Sequence, residues 1–242
     1  MWGAVTATLF GHIANNLLTI LDTARWCLQR LSRRNLCRRS SVDTPVKTSA
    51  DPTSSQRKVQ ALDLRALMTT LKAQKRCDAT STAICLRNRA LLLVGFAGAF
   101  RRGELVSLKV TDVRWLVSGI EVTVQRSKTD QEAAGRKVVI PKASGATECC
   151  PVCALARWLD CADLTTGPLF RSVDRHGNVA TRGMYSSSVA DIVKVSVALA
   201  GFDASAFSGH SLRAGYVTAA TVANVPIWQI KQVTGTGVTK WS

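Results

Sequence analysis

Residues 89–100 read RALLLVGFAGAF, and from Ala90 onward no position carries a charge or an amide. Wound as a helix, this stretch is apolar all round, with small residues interspersed, so it has no face to offer to water. It has to be enclosed by neighbours. The chain must therefore build layers around it, and 242 residues with 46% hydrophobic and 20% charged side chains supply enough material for such a core.

The flanking patterns indicate which elements do the enclosing. Leu64, Leu67, Met68 and Leu71 fall at i, i+3, i+4 and i+7, one face of an amphipathic helix, so a packed domain begins near Val59. Ile120, Val122 and Val124 alternate with Glu121, Thr123 and Gln125, the period of a half-buried strand. The run RKVVIP at 136–141 offers it a partner, which makes a β-hairpin with Lys128 on its turn side. Pro151 opens a helix with Val152, Leu155, Trp158 and Leu159 on one face. Another helix, about 187–200, turns Val189, Ile192, Val193 and Val197 inward. GHSLRAGYVTAATVANV is the next, and VPIWQIKQVTG is a short one behind Pro226. The expected class is α+β, mainly α-helical with a small antiparallel β-hairpin or sheet.

Residues 1–55 differ from the rest. Positions 25–39, RWCLQRLSRRNLCRR, are strongly basic, and SSVDTPVKTSADPTSSQRK after them reads as a linker. The first forty residues hold a single acid, Asp22. Three readings stay open: an organellar transit segment, a helical arm that grips nucleic acid, or the remnant of another domain. Residues 6–21 are apolar but include Asn15 and Asn16 and fall short of the ~20 residues a membrane span needs. The expected organisation is a basic segment and linker over 1–55 and a folded domain over 56–242, with no membrane partner.

Thirty-two Lys and Arg against sixteen Asp and Glu leave a formal charge of +16, which points to a polyanionic partner. Aromatics make up only 6%, thin for a protein that stacks unpaired bases, so contact with duplex phosphates is favoured. The eight cysteines form no even framework. Cys150-Pro151-Val152-Cys153 is a lone CxxC with neither a second pair nor a histidine at finger spacing. No metal, cofactor or small-molecule substrate is expected, and a reducing compartment, the cytoplasm or a bacterial nucleoid, fits best.

Three places carry groups capable of chemistry. Arg101 and Arg102 emerge straight from the apolar stretch, followed by Glu104; an Arg–Glu bridge and an anion site are both open readings. Lys128 sits on a loop from which an ammonium can reach a phosphate or donate a proton, although a loop lysine is more often simply solvated. His210 and Arg213, at i and i+3 in GHSLRAG, can converge on one anion.

Taken together, the ordered motifs resemble the catalytic domain of the tyrosine recombinase, or phage integrase, family. Gly98-Ala99-Phe100-Arg101-Arg102-Gly103-Glu104-Leu105 is similar to that family's first box, with Arg101 at its catalytic arginine and Glu104 in support. Lys128 matches its hairpin lysine, and His210 and Arg213 match its His-x-x-Arg box. CCPVCALARWL resembles a run between the boxes, which accounts for Cys150 without a metal. The resemblance spans roughly residues 60–235. It implies double-stranded DNA and other recombinase protomers as partners, and strand cleavage through a 3′-phosphotyrosine. In it Arg101 and Arg213 hold the phosphate, Lys128 protonates the leaving oxygen and His210 assists proton transfer.

At two places the pattern departs from the family. Thr236 stands where the family has a second histidine or tryptophan, and the only tyrosines, Tyr185 and Tyr216, lie away from the nucleophile's place. The expectation is an end shortened before that tyrosine and an impaired catalyst, with no nucleophile in this chain. Two other readings remain: a non-catalytic basic DNA-binding protein that keeps the fold, and a type IB topoisomerase-like enzyme using similar residues.

Overall fold

The computed structural model describes residues 61, 67, 69, 82–125, 135–143 and 149–236. The apolar run forms the second half of helix α1 (Thr82–Ala97). Ala90, Leu91, Leu92, Leu93, Val94 and Phe96 are all buried, so successive residues around the helix, not one stripe, are enclosed. Its start lies seven residues earlier than the apolar pattern suggested, because Arg87, Asn88 and Arg89 are polar yet helical. Leu67 is helical and 1% exposed; Leu64, Met68 and Leu71 lie outside the described residues, as do residues 1–55.

The helix stops in a turn that directs everything after it. The Phe100 amide donates to the Gly95 carbonyl and the Ala99 amide to Phe96, the paired closing bonds of a Schellman ending, with Ala99 in the left-handed region at φ 49°. Such a conformation costs an alanine about 1 kcal/mol, offset here by complete burial of Ala99 and Phe100. Gly98 leaves room for the turn: a Cβ there would lie 2.2 Å from the Phe100 ring. The chain then leaves extended through Arg101 and enters the short helix α2 (Arg102–Ser107).

A three-stranded antiparallel sheet follows: β1 (Val113–Leu116), β2 (Gly119–Val124) and β3 (Arg136–Pro141), in that spatial order. The expected hairpin is β2–β3, with Ile120 opposite Ile140 and Val122 opposite Val138. Its inward positions Ile120, Val122 and Val124 are buried. Strand β1 extends it, pairing Val113 with Val122. β1 was not anticipated, because VRWL is too short to display a period. Lys128 falls outside the described residues.

Helix α3 (Pro151–Cys161) begins at Pro151 and packs along α1, burying Val152, Leu155 and Trp158. The Trp158 indole N–H donates to the Leu169 carbonyl at 2.9 Å, satisfying its one polar atom inside the core. A two-stranded ribbon, β4 (Arg171–Val173) and β5 (Val179–Gly183), leads into α4 (Ser186–Leu199), which packs on α2. Helix α5 (Ser211–Val222) lies against α1 and is followed by α6 (Ile227–Thr234). Val189, Ile192, Val193 and Val197 face inward as their spacing required. Among the described residues no helix is long and apolar enough to cross a membrane.

Candidate functional site

The turn after α1 sets the geometry of the site. Because Phe100 is drawn into the core, the next side chain, Arg101, emerges at its rim, and Glu104, one helical turn on, faces back toward it. The Glu104 carboxylate accepts from the Arg101 backbone N–H at 3.0 Å and from its guanidinium Nη1 at 2.7 Å. This is the bridge the sequence left open, and it also caps α2.

A third partner was missed by sequence reasoning. Arg136, first residue of β3, donates from Nη2 at 2.6 Å to Glu104 Oε2, the oxygen that also accepts the Arg101 backbone N–H, and stacks over the Phe100 ring, 5.7 Å from its centroid. The signal was in the strand pattern. In RKVVIP, Arg136 is in phase with Val138 and Ile140, which are 2% and 1% exposed, so a charge was assigned to the core-facing side. A buried charge needs a partner.

From the other flank, Arg213 on α5 enters the same cluster. It is 8% exposed, and its Nη1 donates to the Ala99 carbonyl at 2.9 Å, across 114 positions of sequence. The strained Ala99 therefore presents the oxygen that orients Arg213. Burial, together with the charges of Arg101 and Arg136 and against the pull of Glu104, brings the Arg213 guanidinium down to about 10, so it remains charged at neutral pH.

Electrostatics then bound what the cluster can do. Burial pushes the Glu104 carboxyl up, but the Arg101 backbone N–H and the charges of Arg136 and Arg101 outweigh it and hold it below its ordinary range. Glu104 is thus ionised; Arg101 and Arg136 bond it and Arg213 feels its charge, so three guanidinia face one carboxylate, a surplus of two positive charges at the rim of a core. Arg101 retains 32% of its side-chain exposure. Each guanidinium has five N–H donors in a fixed fork, more than the observed bonds consume. The arrangement is suited to a small tetrahedral anion.

The remaining sequence-selected residues sit as follows. His210 immediately precedes α5, exposed, its backbone N–H bonded to Ser208 Oγ at 3.1 Å. It and Arg213 lie one turn apart but differ in environment, one in water and one in the core. Gly209, just before His210, is buried against the α2–α4 contact, where a Cβ would lie 3.3 Å from the Arg102 stem. Thr236, exposed, pairs its hydroxyl with that of Thr234 at 2.9 Å. Tyr216 is 5% exposed, edge-on to Phe96 at 6.4 Å, and burial pushes its phenol up to about 12. Tyr185 precedes α4, 63% exposed, with Arg182 over its ring. Cys150 caps α3, its Sγ accepting from the Cys153 and Ala143 amides. Among the described residues no group of His, Cys, Asp and Glu is arranged to hold a metal.

Comparison with known proteins gives three findings. The family model described as the phage integrase family matches residues 58–235. An integrase/recombinase xerD homolog from Selenomonas ruminantium is 42% identical over 149 residues, covering 62% of this chain and 43% of that protein, so the match takes in less than half the relative's length. Among solved structures, the XerH site-specific recombinase bound to difH substrate in a pre-cleavage complex aligns with TM-score 0.56 at 18% identity, over 74% of this chain and 47% of that one. The XerA recombinase aligns with TM-score 0.54 at 23% identity, over 78% of this chain and 58% of that one. At these identities the structural likeness establishes the fold.

Proposed function

The chain belongs to the phage integrase family, and from that premise we propose that it binds double-stranded DNA and holds one phosphodiester between Arg101 and Arg213. The observation that carries this reading is the meeting of these two residues with Glu104 and Arg136 in a cluster of surplus positive charge. Two guanidinium forks aimed at the non-bridging oxygens stabilise charge that builds up at phosphorus. Lys128 is assigned the proton for the leaving oxygen, and His210 is assigned to assist proton transfer. Glu104 orients Arg101 and does not touch substrate.

The reaction assigned to this site is strand transfer through a phosphotyrosine, in DNA integration or recombination, with other recombinase protomers assembled on the same DNA. Within these 242 residues the nucleophile is neither Tyr216, whose phenol is buried and held protonated, nor Tyr185, in the ribbon-to-α4 connection. The sequence as it stands engages DNA without cleaving it, and Thr236 supplies no imidazole at the second histidine position. The compartment assigned to the chain is the cytoplasm, and the nucleoid if the cell is bacterial.

The test is fluorescence anisotropy with a labelled duplex across a salt series, followed by incubation with a nicked suicide substrate. Affinity falling steeply with salt, and no covalent complex on a denaturing gel, is the expected result. Absence of duplex binding at low salt overturns the DNA assignment. An adduct mapped to Tyr185 or Tyr216 overturns the assignment of a non-cleaving chain.

A further inference from the structure

Arg136 does more than complete the ion cluster. Its Nη1 donates to the backbone carbonyl of Val233, in the last turn of α6, while Nη2 holds Glu104 and the guanidinium covers Phe100. One planar group therefore ties together the end of α1, the first turn of α2, the start of β3 and the end of α6. Its side chain is 17% exposed, and its two bonds run to acceptors on different elements. This is the fork of a strut: each of its two terminal nitrogens is held by a protein acceptor, one on either side of the junction.

The end of α6 is shaped around it. Gly235 closes that helix in the left-handed region at φ 62°, its amide bonded to the Lys231 carbonyl at 2.8 Å. A Cβ on Gly235 would lie 2.7 Å from Arg136 Cδ and 3.0 Å from Nε. Glycine is thus required there twice, once by the backbone conformation and once by the arginine stem. Thr234, 2% exposed, bonds its hydroxyl both to the Lys231 carbonyl and to Thr236. The location of residue 236 relative to Glu104, and through Glu104 to Arg101, follows from where Arg136 holds the last turn of α6.

We propose that Arg136 is a positioning residue that couples the phosphate clamp to the C-terminal end of α6, so that Arg101 and position 236 are set in register by one side chain. The inference rests on the reading of the Arg101–Arg213 pair as a phosphate clamp. It assigns Arg136 no contact with substrate. Arg136 acts through Glu104 on one side and through the Val233 carbonyl on the other.

Lysine at 136 keeps the charge but presents its donors from a single atom, so it does not span two acceptors on separate elements. The experiment uses the full chain and two measurements: amide hydrogen exchange, and protection of Arg101 and Arg213 from phenylglyoxal by inorganic phosphate at constant ionic strength, mapped by peptide mass spectrometry. Wild-type protein whose arginines gain no protection from phosphate overturns the clamp reading itself. With protection established, Arg136→Lys is expected to speed exchange across residues 231–236 at least tenfold and to raise the phosphate concentration for half-protection of Arg101 at least fivefold, with exchange in the β2–β3 ladder unchanged. Faster exchange with unaltered phosphate protection identifies a merely structural residue and overturns the proposal. Wild-type behaviour in both measurements does so too. Should Arg136→Lys fail to fold, Gly235→Ala disturbs the same junction without altering charge; it is expected to give the same two changes, and unaltered protection in that variant is equally decisive against the coupling.

Discussion

Glu104→Gln removes the carboxylate on which the cluster depends while keeping its shape. In the native chain Glu104 takes two guanidinium bonds, at 2.7 Å from Arg101 and 2.6 Å from Arg136, with a side chain only 7% exposed. A charge-assisted hydrogen bond contributes about 1.5–3 kcal/mol and a neutral one roughly 0.5–1.5. Glutamine keeps one oxygen, so one bond is weakened, whereas its amide N–H₂ meets a guanidinium donor and the other bond is lost. The expected destabilisation is about 2–4 kcal/mol, or a Tm lower by roughly 5–12 °C for a domain of this size. The pH dependence carries a sign that separates this account from simple misfit. The native carboxyl is held below its ordinary value of 4.5, so its contribution is fully present above pH 4.5 and disappears as pH falls through the lower, folded value. Urea denaturation of both proteins at pH 7 and across pH 5 to 3 measures this. The gap between them is wide at pH 7 and closes in acid. A variant within 0.5 kcal/mol of wild type at pH 7, or a gap that persists undiminished in acid, refutes the reasoning.

Other outcomes follow from the same geometry. Arg213→Ala, which empties a buried position beside Ala99, is expected to lower duplex affinity by tenfold or more, about 1.4 kcal/mol. Arg102→Ala, at an exposed position, costs less than about threefold and chiefly flattens the salt dependence; equal losses in the two variants, read by anisotropy, contradict the clamp. Gly98→Ala drives a methyl to within 2.2 Å of the fully buried Phe100 ring and costs roughly 1–3 kcal/mol in chemical denaturation; full stability in that variant shows the turn is loose. The Tyr216 phenol, raised to about 12, keeps its proton in the folded chain while the unfolded chain loses it near pH 10, so stability falls between those values. Ultraviolet titration of a Tyr185→Phe variant reads Tyr216 alone, and a midpoint near 10 places it in solvent.

Much of the fold was legible in local pattern. The enclosed helix followed from a run with no polar face, the β2–β3 hairpin from alternation at Ile120, Val122 and Val124, and the inward faces of α3 and α4 from helical spacing. These features depend on which side of an element faces water, and a side chain a few residues away carries that information. Short elements escaped, because the four residues of β1 and the three of β4 complete too few periods to be distinguished from a loop. Arg101, His210 and Arg213 were singled out by the resemblance of their boxes to the family's, and Arg136 was passed over although its phase in β3 marked it as facing inward.

What the sequence determined alone, then, is which residues are apolar on which face, and that a cation-rich chain carries ordered boxes of Arg, Lys and His. Tertiary structure decided who meets whom. That Arg213 grips the Ala99 carbonyl 114 positions away, that Arg136 divides its fork between Glu104 and the end of α6, and that His210 stands in water while Arg213, three residues on, is buried are consequences of packing. Hydrophobic burial is non-directional and satisfied by any apolar neighbour, so its pattern is written locally. A buried charge is satisfied only by a particular opposite group at bonding distance, and that group comes into reach only when distant segments have already packed.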